Sequence, residues 1–160
     1  MTTPTPPPGT AKLGPGTLTI GATGTEIDVS CLVNNLVITM SKDKADDTRK
    51  LCGTVRPGAI TYTYELDGNL DTDIGTESGL FALSQSAAGT EQAFTFTPST
   101  EAGTTATGKL IIDPMDFGTT DDYGSDLTSD IAWSLVDKPT YAYGDTEPPA
   151  LDAPAATAAA

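Results

Sequence analysis

Between residues 60 and 136 the chain reads ITYTYEL (60–66), ESGLFALSQSA (77–87), AFTFTP (93–98), GKLIID (108–113) and DIAWSLV (130–136). In all but the second segment, apolar side chains recur at every other position, the period of a strand with one face buried. The second places Leu80, Phe81, Leu83 and Ala87 on one helical face. A helix is predicted over 76–88, started by Thr76 or Ser78, favoured by Glu77 at its positive end and stopped by Gly89. Strand, short helix and three further strands predict a mainly β chain. The expected architecture is an antiparallel β-sandwich or barrel with one flanking α-helix.

The same alternation extends upstream. Leu18 and Ile20 alternate with Thr17 and Thr19, and Ile27, Val29, Cys31 and Val33 alternate with Asp28 and Ser30. Asn34-Asn35 reads as a turn, after which Leu36, Ile38 and Met40 share one strand face. The predicted core comprises Ile38, Tyr62, Tyr64, Leu80, Phe81, Phe94, Phe96, Leu110, Ile112 and Trp133, with Cys31 as a small core residue. Segment 41–58, SKDKADDTRKLCGTVRPG, interrupts the pattern and holds five of the eight basic residues. It is too long for a tight hairpin turn, and loops of this length are usually functional or disordered. The ends are rich in Pro, Thr, Ala and Gly. Residues 1–16 and 140–160 are therefore expected to be flexible arms around a folded domain at 17–139.

Eight basic residues against 22 acidic ones give a formal net charge of −14. A binder of nucleic acid or anionic membrane needs a basic patch, and this balance argues against both. No apolar run approaches the ~18 residues that span a bilayer. Met1 is not followed by a basic stretch and an apolar run, so synthesis in a cytoplasm is expected, with Cys31 and Cys52 as reduced thiols. Two cysteines without histidine make a poor zinc site.

The absence of histidine excludes a Ser-His-Asp or Cys-His arrangement. Carboxylate pairs occur at Asp71/Asp73, Asp113/Asp116 and Asp121/Asp122. General acid-base work requires such a pair to be held across a cleft with divergent pKa values. Beside Gly and Thr these pairs read as solvated turns, so no enzyme, cofactor or metal is expected. Asp67, Asn69 and Asp71 match the first ligand positions of a calcium loop. Thr72 then stands where that loop needs Gly, and Ser78 where it needs Glu. An acidic turn is the better reading. Tyr62, Tyr64, Phe94, Phe96 and Trp133 lie on the apolar phase of their strands, which assigns them to packing rather than to a sugar platform. Only Tyr123, Tyr141 and Tyr143 are placed for such a platform.

Taken in order, GTLTIG (16–21), DVSCLVNNLVITM (28–40), LCG (51–53), TYTYELDGNL (61–70), the helix, AFTFTPST (93–100), GKLIIDP (108–114) and SDIAWSLV (129–136) resemble a known family. It is the major tail protein, or tail tube protein, of long-tailed bacteriophages, and the likeness is nearest to those of actinobacterial phages. The resemblance covers about 16–139. It implies a β-sandwich with a flanking helix whose copies form hexameric rings, stacked into a tube around a DNA-conducting channel. It further implies that Thr61, Thr63, Glu65 and Asp67 face the lumen, where acidic side chains give DNA no phosphate grip. Lys42, Asp43, Lys44, Asp46, Asp47, Arg49, Lys50 and Arg56 would make contacts between rings, their loop ordering on assembly. The implied partners are copies of the chain itself, with tape measure, distal tail and tail terminator proteins, in a virion. A stand-alone binding module and a head-decoration protein are the competing classes.

Overall fold

The alternating segments pair into two antiparallel sheets. A computed structural model describes residues 14–118 and 123–144. The strands are β1 (Thr17–Ile20), β2 (Ile27–Asp28), β3 (Val33–Lys44), β4 (Thr48–Arg49), β5 (Val55–Arg56), β6 (Ile60–Asp71), β7 (Glu91–Thr97), β8 (Thr105–Ile111), β9 (Thr128–Ser134) and β10 (Thr140–Ala142). One helix, α1 (Leu80–Ser86), connects the sheets. One sheet has the order β10-β8-β7-β1-β2 and the other β3-β6-β9, while β4 and β5 form a separate hairpin.

Leu18, Ile20, Phe94 and Leu110 from the first sheet meet Leu66, Leu70, Ile131 and Trp133 from the second, with Leu80 of α1 and Ile112 and Met115 closing the core. An antiparallel bridge between Leu110 and Leu135 joins the sheets at one side. The Trp133 indole N–H donates to the Asp113 carbonyl at 3.1 Å. That bond lets a large amphipathic ring be buried without an orphaned donor.

The helix starts later than the sequence predicts and uses a different cap. Neither Thr76 nor Ser78 serves it. The Asp73 carboxylate accepts the backbone N–H groups of Leu80 and Phe81, both at 3.0 Å. Two otherwise unpaired donors of the first turn are thereby satisfied by a residue outside the helix. Gly89, at φ +74°, reverses the chain after the helix, and its N–H donates to the Ile112 carbonyl at 2.8 Å.

Several expectations need correction. Cys31 is exposed and lies in a 3-10 turn, Ser30–Leu32, rather than on a strand. The Asp28 carboxylate draws the chain round by accepting from the Ser30 backbone N–H (3.0 Å) and hydroxyl, and the Ser30 oxygen accepts from the Leu18 N–H. Asn34 and Asn35 belong to β3, at a bulge, rather than to a turn. Both are held by the neighbouring strand: Asn34 donates to Asn69 (3.0 Å) and Asp71 (2.7 Å), and Asn35 accepts from the Asn69 N–H (3.1 Å).

Of the predicted core, Leu80, Phe94, Leu110, Ile112 and Trp133 are buried, and Ile38, Tyr64, Phe81 and Phe96 pack half-buried against them. Tyr62 is 48% exposed and Met40 60%. Both lie where β3 and β6 run past the end of the opposing sheet, so their apolar phase has nothing to cover it. Downstream, β10 pairs with β8 and carries the sheet beyond the expected boundary at Pro139. Upstream, the Pro15 carbonyl accepts from the N–H and the hydroxyl of Thr100, so the body begins to hold the chain before β1.

Candidate functional site

Two features of the β3-β6-β9 sheet single it out. It projects, and among the described residues neither of its edge strands has a further partner strand. Strands β3 and β6 pair from Val33↔Leu70 to Lys44↔Ile60, whereas β9 pairs with β6 only over Glu65–Asp71. Beyond Ser134 the chain turns away, the Leu135 N–H donating to the Tyr64 carbonyl and the Val136 N–H to the Lys109 carbonyl. Residues 60–63 of β6 thus belong to a two-stranded ribbon, bare on the β9 side. A groove runs along this bare edge, walled by Ile60, Tyr62, Tyr64, Val136 and Lys138. Ile60, Tyr62 and Val136 are exposed apolar side chains beside unpaired backbone. Tyr141 stands close to Tyr64 and Tyr143, and its hydroxyl is pushed above the usual range by burial first and by those two phenols second. Across the same sheet, β3 presents its entire outer edge without a partner strand among the described residues.

The four side chains expected in a lumen come together on one face. Strand alternation sets Thr61, Thr63, Glu65 and Asp67 opposite to Tyr62, Tyr64 and Leu66. Thr61, Thr63 and Glu65 are exposed, and the half-buried Asp67 carboxylate accepts from the Thr39 hydroxyl. The register adds Thr39 and Ser134 beside Glu65, and Val37 and Ala132 beside Asp67. Asn69 and Asp130 continue this face, Asn69 donating to the Asp130 carboxylate at 2.8 Å. Sequence reasoning missed this extension, although Asp130 stands on the polar phase of its own segment.

The expected inter-ring loop is a structured tip. Lys42, Asp43 and Lys44 are the end of β3, and Arg49 and Arg56 sit in the hairpin β4-β5, with Asp46, Asp47 and Lys50 in its connections. Local bonds replace the missing core. The Asp47 carboxylate accepts from the Gly58 N–H at 2.9 Å and pairs with Lys44 at 3.1 Å, and these two contacts, in that order, hold its carboxyl below the usual range. Gly58 is required here, because a Cβ would lie 1.7 Å from the Ala45 carbonyl oxygen. A turn over 50–53 closes the hairpin, with Gly53 at φ +83°. Beside it the Thr54 hydroxyl lies 3.1 Å from the Cys52 sulfur and draws that thiol below its ordinary pKa. Leu51 and Val55 project into solvent from the same tip.

Charge is divided along the sheet. All five basic residues of segment 41–58 lie on the ribbon, and Lys109 and Lys138 lie near its base. The opposite pole, around the buried bond between the Thr72 and Ser129 hydroxyls, carries Asp71, Asp73, Asp116, Asp126 and Asp130 without a described Lys or Arg among them. Exposed Ile74 and Phe117 sit there too, Phe117 at 5.7 Å from the Phe81 ring.

The remaining candidates fall apart. Asp67, Asn69 and Asp71 lie along a strand, where alternate residues are about 7 Å apart and cannot wrap one ion. Among the described residues no group of three His, Cys, Asp or Glu is arranged to hold a metal. Asp73 is committed to α1, and Asp121 and Asp122 lie outside the described residues. Tyr123, Tyr141 and Tyr143 are exposed, Tyr141 and Tyr143 together at β10 and Tyr123 on a separate loop. No helix among the described residues is long and apolar enough to cross a membrane.

No protein-family pattern and no curated protein matches this sequence. Among solved structures, the fold is similar to a chain in the virion of a native gene transfer agent particle, with a TM-score of 0.51 and 14% identity. The likeness covers 78% of this chain and 95% of that one.

Proposed function

We propose that the chain is a virion structural protein, the subunit of a tail tube of a long-tailed bacteriophage. Copies assemble into hexameric rings that stack around a channel, and the work of the protein is to assemble and conduct rather than to catalyse. The observation that carries this reading is the β3-β6-β9 sheet, open on both edges and polar and acidic across one face. An isolated sheet with two bare edges invites uncontrolled pairing. Setting the β3 edge of one copy against the β9 and β6 edge of the next removes both edges at once, in a head-to-tail contact that closes into a ring. The face bearing Thr61, Thr63, Glu65 and Asp67 then lines the channel, and DNA passes it without specific binding. The virion-chain likeness, which spans nearly the whole of that neighbour, supports the same reading. The partners expected are further copies and the tape measure, distal tail and tail terminator proteins of the same tail.

Negative-stain electron microscopy and sedimentation of the concentrated full chain test it. Hollow rings or tubes are expected. A protein that remains monomeric at millimolar subunit concentration, or that decorates capsids instead, overturns it.

A further inference from the structure

The groove beside residues 60–63 has the chemistry of a site for an extended, proline-rich segment. Its walls are apolar and aromatic: Ile60, Tyr62 and Val136 are exposed, Tyr64 is half-buried, and Tyr141 and Tyr143 stand beside Tyr64. Hydrogen-bond donors are at hand. The Leu135 N–H donates to the Tyr64 carbonyl, so strand alternation turns the backbone groups of Tyr62 and Ile60 to the same side, where β9 has already ended. The tyrosine hydroxyls and the Lys138 ammonium add further donors. A polyproline II segment offers what such a surface can use: carbonyls without N–H groups, and rings that dock between aromatic side chains.

This chain contains such a segment. Residues 1–13, which lie outside the described residues, carry Pro4, Pro6, Pro7 and Pro8. At three residues per turn, a polyproline II segment sets Pro4 and Pro7 on one face. The chain enters the body near the aromatic rim of the groove. The Pro15 carbonyl accepts from Thr100, and Gly144, one residue past Tyr143, lies against Gly103 of the same turn. In the order β10-β8-β7-β1, three strand spacings separate β1 from β10, roughly 14 Å in all. The six residues from Gly14 back to Pro8 reach about 19 Å in this conformation. Charge selects this end of the chain over the other. Residues 1–13 hold no acidic side chain, whereas Asp145, Glu147 and Asp152 stand among the prolines of the C-terminal end, and Glu65 and Asp137 line the groove.

We infer that residues 4–8 of the same chain occupy this groove as a polyproline II segment, laid along Tyr62, Tyr64 and Tyr141. Docked there, the segment covers the exposed apolar walls. It also caps the β6 edge without extending the ladder, since proline offers no N–H to a further strand. The docking goes beyond the tail tube reading and touches it at one point. The β3 edge of a neighbour needs the same side of β6, so the segment must leave before a ring closes.

A paramagnetic label tests the docking in the dilute full chain. Cys31→Ser and Cys52→Ser remove the two exposed thiols, and Thr3→Cys carries the label. The amide resonances of Tyr62, Tyr64 and Val136 are expected to broaden, while that of Ile74, at the opposite end of the sheet, keeps its width. Tyr62→Ala with Tyr141→Ala is expected to abolish most of the broadening, and so is replacement of Pro4, Pro6, Pro7 and Pro8 by Ser. Fluorescence of the single, buried Trp133 checks that each variant is folded. Broadening that is absent, or that survives both sets of changes, overturns the docking. So does broadening seen only when label and observed nuclei are on different chains, which makes a second copy the occupant. These results leave the ring reading standing. A chain that shows the contact yet never forms rings removes that reading and keeps the docking.

Discussion

At the scale of single residues, the bonds that matter most lie outside the regular elements. Asp73 holds the first turn of α1 from seven and eight residues away, and no side chain within the helix or at its start replaces it. Asp73→Ala is expected to cost about 1–2 kcal/mol, the usual range for a lost N-terminal cap. Chemical denaturation followed by Trp133 fluorescence reads the change. The sequence placed polar candidates for this role at Thr76 and Ser78, but capping from a distance leaves no local spacing to find. Cys52 and Cys31 are both exposed, yet only Cys52 has a hydroxyl at its sulfur. Thiolate is the reactive form, so Cys52 is expected to be alkylated faster than Cys31 by iodoacetamide near neutral pH, and Thr54→Val is expected to narrow the gap. Equal rates in the wild-type chain would contradict the assignment.

At the scale of elements, alternation was legible wherever a strand has a buried face. It failed where a strand has none. Segment 41–44 is polar on both faces because both are wet, so β3 seemed to end four residues early. Tyr62 and Met40 show the converse error: the alternation was real, but the ribbon leaves the sandwich before the pattern stops. Replacing residues 46–57 by Asn-Gly, which favours a tight hairpin, is expected to leave the Trp133-monitored stability within about 0.5 kcal/mol while abolishing stacking. The tip also answers to pH. Its Asp47 carboxyl titrates below the usual 3.8 because the ionised form is bonded to Gly58 and Lys44. A group depressed in the folded state contributes fully above its unfolded pKa, and the contribution is lost as pH falls through the folded value. The Gly58 amide resonance should therefore shift at a pH below 3.8, and Asp47→Asn should remove that transition. A midpoint at or above the ordinary value would show that the bond is absent in solution.

At the scale of the whole molecule, the fold class was legible because period-two alternation recurs in segment after segment, and so was the acidic face, because alternation assigns both faces of a strand together. The open edges were not, since backbone left unpaired by the departure of the chain after Ser134 has no counterpart in residue type. Nor was the end of the sheet opposite the ribbon, where the pairing of β6 with β9 brings Asp71 and Asp130 close from distant positions in the sequence. The open edges and the charged tip predict different responses to salt. Ring contacts made by backbone hydrogen bonds are expected to survive 1 M salt, where the Debye length falls to about 3 Å. Stacking contacts made by the charged tip are expected to weaken, so that sedimentation resolves tubes into rings. Simultaneous loss of both would show that one kind of force holds the assembly in both directions.

The unlike ends of the ribbon have a consequence for size. In the proposed tube, a copy that joins a stack would cover one end and present another identical to it, so the last subunit added would offer the same invitation as the first. Nothing in such a part can count. A finished length is then information that must be held elsewhere, in a molecule that spans the object or in one that occupies its final end.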